Sequence, residues 1–224
     1  MPRETASLSL FAHPFASYCQ KVLIALYENG TPFEYRMLSP EHPDVQAEFE
    51  ARWPFKRMPI LVDGEQTVAE SSIILEYLDL HHPGPVRLIP ADAQAALEVR
   101  MMDRFFDQYV MTPMQKIVTD HLRPAESHDA YGVQDARSVL ETAYRWLNDR
   151  LRGREWGAGS DFGLADCAAA PSLFYADWAQ PIPGELANVR AYRQRLLRRP
   201  SVARTVDEAR PYRQFFPPGA PDRD

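Results

Sequence analysis

Three short stretches of this chain bring together residue types that can hold and activate a small polar molecule. The first is Ser17-Tyr18-Cys19, two hydroxyls and a thiol at the mouth of a segment in which Val22, Leu23, Ala25 and Leu26 fall at helical spacing. The positive end of a helix stabilises anions and lowers the pKa of a nearby thiol from its ordinary ~8.5, so a donor in this turn can hold a thiolate. Cys19 could itself be the working thiol, but about one turn inside the helix a small cysteine is more often core. The second stretch is Met58-Pro59 ahead of the apolar run Ile60-Leu61-Val62. Proline cannot donate to a strand ladder, so its place at a strand entrance needs explaining. The third is Glu70-Ser71, where another helix begins. A helix N-terminus carries orphan N–H groups that bind carboxylates, Ser71 can add its hydroxyl, and Glu70 can meet an ammonium. Ser71 is also an ordinary N-cap residue, and the two roles are compatible. Lys56 and Arg57 stand beside the Met58 turn as possible cations for a second carboxylate, with His13 and Gln66 as weaker candidates.

These stretches need elements to position them. The spacing predicts strand, helix, strand over 7–11, 19–29 and 33–37, with the Asn29-Gly30 pair ending the helix. A polar helix over 43–52 follows, then strands over 60–62 and 66–68 joined by the hairpin pair Asp63-Gly64, then a helix from 70 to 78. The first eighty residues therefore read as βαβ followed by ββα. His81-His82-Pro83-Gly84-Pro85 opens a linker over 81–90, beyond which no strand is predicted. Helices are expected over 91–116, interrupted near Pro113, and over 133–152, 164–178, 189–197 and 202–209; the third is apolar all round and so buried. Residues 217–224 read as a frayed, flexible tail. The fold class is α/β plus all-α: a small α/β domain over 1–80, then a helical bundle over 91–216.

The chain has 224 residues, 25 basic against 31 acidic, a formal net charge of -6, and two cysteines. That balance argues against nucleic acid as a partner, because no basic stripe is left to neutralise phosphates. The arginine-rich run 190–199 reads as the solvated face of a late helix. Two cysteines without a Cys-x-x-Cys pair point to a reducing compartment. With no apolar run near the ~20 residues that span a bilayer and no leader pattern, a soluble, cytoplasmic protein is expected, without membrane contact. No metal ligand set is assigned.

Four pieces in order, Ser17-Tyr18-Cys19-Gln20-Lys21-Val22, Met58-Pro59-Ile60-Leu61, Glu70-Ser71 and Gly163-Leu164-Ala165-Asp166, resemble the cytosolic glutathione transferases, in particular bacterial, serine-class-like members. The resemblance spans essentially the whole chain. It implies a thioredoxin-like N-terminal domain and glutathione as co-substrate, with a cis Met58-Pro59 bond, and Met58, Pro59, Glu70, Ser71 and Lys56 around the tripeptide. It further implies Ser17 as the donor to the glutathione thiolate, with Tyr18 and Cys19 as alternatives. The family's serine-class donor position is occupied by Ala16, one residue earlier than Ser17. The implied activity is attack of the glutathione thiol on a small hydrophobic electrophile or a peroxide, bound in a pocket to which Phe106 and Tyr109 contribute, in a homodimer. Asp166 corresponds to the acidic residue of a buried helix start, a fold signal, with Gly163 replacing the usual hydroxyl residue. Two alternatives accompany this reading. One is a glutathione-dependent isomerase or a thiol-disulfide oxidoreductase working through Cys19. The other is a non-catalytic scaffold comparable to the stringent starvation proteins.

Overall fold

The structure is a computed structural model that describes residues 8–224. The first two residues of the strand expected from Ser7 straddle its edge, Ser7 lying outside the described residues. The strand itself, β1, spans Ser9–Ala12. It is followed by α1 (Ser17–Glu28), β2 (Glu34–Met37), α2 (Pro43–Arg52), β3 (Ile60–Asp63), β4 (Gln66–Ala69) and α3 (Ser71–His81). The sheet runs β2-β1-β3-β4. β1 and β2 are parallel, with Leu10 opposite Tyr35, while β3 is antiparallel to both β1 and β4, with Leu61 opposite Leu10 and Val68. The domain is thioredoxin-like, as expected.

Strand alternation sends successive side chains to opposite faces, and here both faces are covered. Leu10, Ala12, Leu61 and Val68 enter the large core with α1 and α3. Phe11, Ile60 and Val62 form a second, smaller core with Leu38 and with Phe49 of α2. Phe11 and Phe49 stack with ring centroids 6.5 Å apart.

The second domain holds α4 (Ala93–Phe105), α5 (Thr112–Asp120), α6 (Ala130–Arg150), α7 (Leu164–Ala179), α8 (Ala187–Arg198) and α9 (Pro200–Ala209). The helix expected over 91–116 is interrupted by a π-helical turn at Phe106–Met111, immediately ahead of Pro113 in α5. α7 is buried along nearly its whole length, as its apolar composition requires, and packs against α1, α4 and α8.

The linker is tied to both domains: Asn29 exchanges two hydrogen bonds with Val86 (2.9 and 3.0 Å), and Leu88 N donates to Asp79 Oδ1 at 2.8 Å while its carbonyl accepts from Leu164 N at 2.9 Å. Two expectations need correction. The tail is likewise docked, Phe216 being buried, Arg223 pairing with Asp177, and Asp224 with Arg210 and Arg213. The arginine run is only partly solvated. Arg193 is buried, and Arg199 lies 3.9 Å over the ring of Phe162 while its Nε donates to Glu28 of α1 at 2.9 Å.

The start of α7 shows why glycine occupies position 163. A Cβ there would stand 2.7 Å from the Leu88 carbonyl oxygen, so a hydroxyl residue would displace the linker. Asp166 does the capping instead, accepting from Gly163 N (3.0 Å), Gly157 N (2.8 Å) and Tyr192 Oη (2.5 Å). Burial pushes its carboxyl up to about 6, against the pull of these three donors. Asp166→Ala is expected to lower stability by roughly 3 kcal/mol or more, measured by chemical denaturation, because three buried donors lose their acceptor. The raised pKa means that the Asp166 contribution is greatest below pH about 4 and is lost as pH climbs through about 6; in Asp166→Asn that component of the pH dependence is expected to vanish.

Candidate functional site

The β1–α1 turn, the Met58-Pro59 turn and the start of α3 all lie at the ends of paired or packed elements of the first domain. α1 is buried on every side, with Val22, Leu23, Ile24, Ala25 and Leu26 all essentially inaccessible. Its polar residues must therefore find partners inside the protein. Gln20 donates to the Pro14 carbonyl (2.9 Å) and to Tyr175 Oη (3.0 Å), and Tyr175 Oη in turn donates to the Phe15 carbonyl at 2.8 Å. These bonds from α1 and α7 fix the loop that delivers Ser17 and Tyr18 to the helix mouth.

At that mouth Ala16 is the N-cap and supplies no side-chain cap, so Ser17 begins the first helical turn, half-buried. Tyr18 is partly buried beside it. Burial raises its phenol to about 12, and the charges of Asp107, Glu70 and Asp103 act in the same direction against Arg104. Tyr18 thus remains protonated at neutral pH and is a hydrogen-bond donor. Lys21 of α1 and Arg104 at the end of α4 both donate to Ser72 Oγ of α3, so the α1 mouth, the start of α3 and the end of α4 converge. Cys19 is 0% exposed, and burial pushes its thiol to about 12. A thiol held in that form is neither exposed nor ionised, which corrects the reading of Cys19 as a reactive residue.

The Met58-Pro59 bond is cis. Ladder pairing begins at Ile60, opposite Phe11 and Ala69, so Met58 stands just outside it, bridging the two cores. Lys56, at φ 52, is largely exposed and its Nζ pairs with Glu50 Oε2 at 2.6 Å. An exposed pair of this kind is weak and easily exchanged for another carboxylate.

Glu70, rather than Ser71, is the N-cap of α3, with φ 69 and ψ 116. This left-handed backbone is unfavourable for a side-chain-bearing residue, and such conformations concentrate at ligand sites. The Glu70 carboxylate is exposed, while Ser71 is buried in the first turn, where its N–H lacks an intrahelical partner. Gln66, an exposed strand residue, accepts from Tyr77 Oη at 3.4 Å. His13 receives the Phe15 N–H at Nδ1 (3.2 Å), and burial lowers its pKa.

Behind the α3 start lies a charge cluster that sequence reasoning missed. Lys21 of α1 is 1% exposed and pairs with Asp103 (2.5 Å) and Asp107 (3.1 Å). Its Nζ also donates to Ser72 Oγ at 2.9 Å; Ser72 Oγ donates to Asp103 at 2.8 Å and accepts from Arg104. Arg104 pairs with Asp103 (2.7 Å) and Asp107 (2.9 Å), so two cations balance two carboxylates. The available sequence signal is that Lys21 directly precedes the apolar run Val22-Leu23-Ile24-Ala25-Leu26.

Phe106 is fully buried, its ring against Phe105 (5.4 Å) and Tyr192 (6.5 Å). It is core and not a pocket wall, which corrects its expected role. Tyr109 is exposed and leans on Phe105 (5.8 Å), which in turn meets Trp146 of α6. The aromatics beside the β1–α1 loop come instead from α7 and from the 3₁₀ segment Arg210–Phe215. Tyr175 meets Phe15 edge-on at 5.3 Å, and Tyr212 meets His13 at 4.7 Å, with Phe215 stacked on Tyr212. The cluster Tyr212, Phe215 and Phe216 after the last predicted helix was the available signal.

Residues 10–86 match the family model for the glutathione S-transferase N-terminal domain, and residues 126–195 that for its C-terminal domain. The chain belongs to the glutathione S-transferase family. A probable glutathione S-transferase of Nicotiana tabacum is 26% identical over 73% of this chain and 69% of its own length. A stringent starvation protein A homolog of Haemophilus influenzae is 27% identical over 91% of this chain and 92% of its own. A glutathione S-transferase of Methylobacterium radiotolerans, solved in complex with glutathione sulfonate, superposes with a TM-score of 0.77 at 28% identity, over 89% of this chain and 94% of that one.

Glu70→Gly is expected to keep or raise thermal stability, since glycine adopts φ 69 without cost, while weakening ligand binding at the α3 start. Comparing melting temperatures with calorimetric affinities for Glu70→Gly and Glu70→Ala separates the two effects.

Proposed function

We propose that the protein is a glutathione transferase in which Ser17 donates a hydrogen bond to the glutathione thiolate and the first turn of α1 supplies the supporting positive field. The reading rests above all on the start of α3, where a buried Ser71 follows a left-handed Glu70. There the γ-glutamyl carboxylate would take the Ser71 hydroxyl and N–H, and Glu70 the α-ammonium. The cysteinyl backbone would pair with Met58 beside Pro59, and the glycyl carboxylate would draw Lys56 away from Glu50. Deprotonation of the thiol sends its proton to solvent. The sulfur then forms a bond to an electrophilic carbon as the leaving group departs, with Tyr18 as the second donor. Tyr212 and Phe215 are the proposed apolar wall for a hydrophobic electrophile, replacing Phe106 and Tyr109 in that role. The same reading carries a cytoplasmic homodimer, for which exposed Ile73 and Leu80 of α3 and Leu97 of α4 offer an apolar face.

The similarity to the stringent starvation protein A homolog, together with Ala16 at the α1 cap, favours one second reading, a non-catalytic scaffold on the same fold. Calorimetric titration with glutathione separates the two. The transferase reading expects binding that weakens at least about tenfold in Ser71→Ala, the loss of charge-assisted bonds. Ser17→Ala should keep most of the affinity but lose roughly a hundredfold in turnover with an aryl halide. A folded wild-type protein that does not bind glutathione would leave the scaffold.

A further inference from the structure

A cavity of about 380 Å³ opens where the end of α7 meets the first turns of α8, lined by Asp177, Ile182, Arg190, Arg193, Gln194 and Arg223 among others. Its charge is opposite to that of the chain. Three guanidinium groups face one carboxylate, two excess positive charges in a chain of net charge -6. The carboxylate is already engaged: Asp177 Oδ1 accepts from Ile182 N at 2.8 Å, and Oδ2 is held by Arg223, whose Nη2 also donates to the Asp177 carbonyl at 2.8 Å.

Arg193 reaches the same carboxylate only as an ion pair, without a hydrogen bond. It is 8% exposed, its guanidinium lies 5.8 Å over Phe174, and its Nε donates to the Leu173 carbonyl at 3.3 Å. Its Nη2 stands 3.4 Å from Asp177 but is buried without a hydrogen-bond acceptor among the described residues. A buried charged donor in that state is costly unless something meets it. Burial pulls the Arg193 pKa down and the nearby Arg223 adds to this, against Asp177, Tyr144 and Asp224. Arg190, one turn earlier and exposed, has no ion-pair partner among the described residues.

We propose that this cavity is a second ligand site, distinct from the α1–α3 site, that binds a small organic dianion carrying phosphate or carboxylate groups between Arg190, Arg193 and Arg223. The planar fork of arginine matches either oxyanion, and the volume suits a ligand larger than a lone ion. Arg223 belongs to the docked tail, so an occupant would also fasten that tail to α7 and α8.

The test is calorimetry with phenyl phosphate and, separately, succinate, on the full chain. At least one probe is expected to bind, and the stronger one identifies the oxyanion. Arg190→Gln, at an exposed position, should weaken it about tenfold, as should Arg193→Met where it remains folded. Arg195→Gln changes the same charge on the same helix outside the cavity and should leave the affinity unchanged. Failure of both probes to bind, an unaffected Arg190→Gln, or an equal loss in Arg195→Gln would each overturn the proposal.

Discussion

A lysine ammonium buried between two domains constrains much of this structure. Lys21 cannot be left without counter-charge at that depth, and the carboxylates that meet it, Asp103 and Asp107, come from the second domain. The two domains must therefore dock in a single register for the cluster to close. Ser72 lies inside the same cluster, one residue beyond Ser71, so the register that neutralises Lys21 also places the start of α3. The π-helical turn at Phe106–Met111 belongs to this arrangement: it carries Asp107 and buries Phe106 and Val110 at once.

Other cross-domain contacts repeat the pattern at the remaining edges of α1. Gln20 and Tyr175 hold the loop ahead of Ser17, while Arg199 and Ser201 hold Glu28 at the opposite end of the helix. Asp166 joins the α7 start to the 157 turn and to α8 through Tyr192. α1 is thus a helix whose two ends are both held by the second domain. The thiol-activating turn proposed at Ser17 inherits its placement from these bonds.

Much of this was legible in the sequence. Alternation at the strands, the Asp63-Gly64 hairpin and the helical stripes gave the element order, because local pattern and tertiary packing agree there. The Met58-Pro59 and Glu70-Ser71 pieces were readable because their positions at a strand and a helix boundary have few local explanations. What was not legible depends on distant partners. Nothing local announces that Arg193 and Arg199 turn inward, since their acceptors and aromatic faces come from α1, α7 and residues near Phe162. Phe106 lies in a stretch rich in aromatics, and only the π-helical turn decides which of them faces inward. The glycine at 163 is likewise explained only by a distant partner, the linker carbonyl of Leu88 that a Cβ would meet.

The most direct measurement of the central claim is the glutathione affinity of Ser72→Ala, taken by calorimetry under conditions where the variant is folded. If the charge cluster positions the start of α3, loss of the one hydroxyl that joins Lys21, Asp103 and Arg104 weakens binding by about fivefold or more, although Ser72 is assigned no contact with the ligand. Wild-type affinity in a folded Ser72→Ala protein would contradict the account, leaving the cluster as a device for domain docking alone.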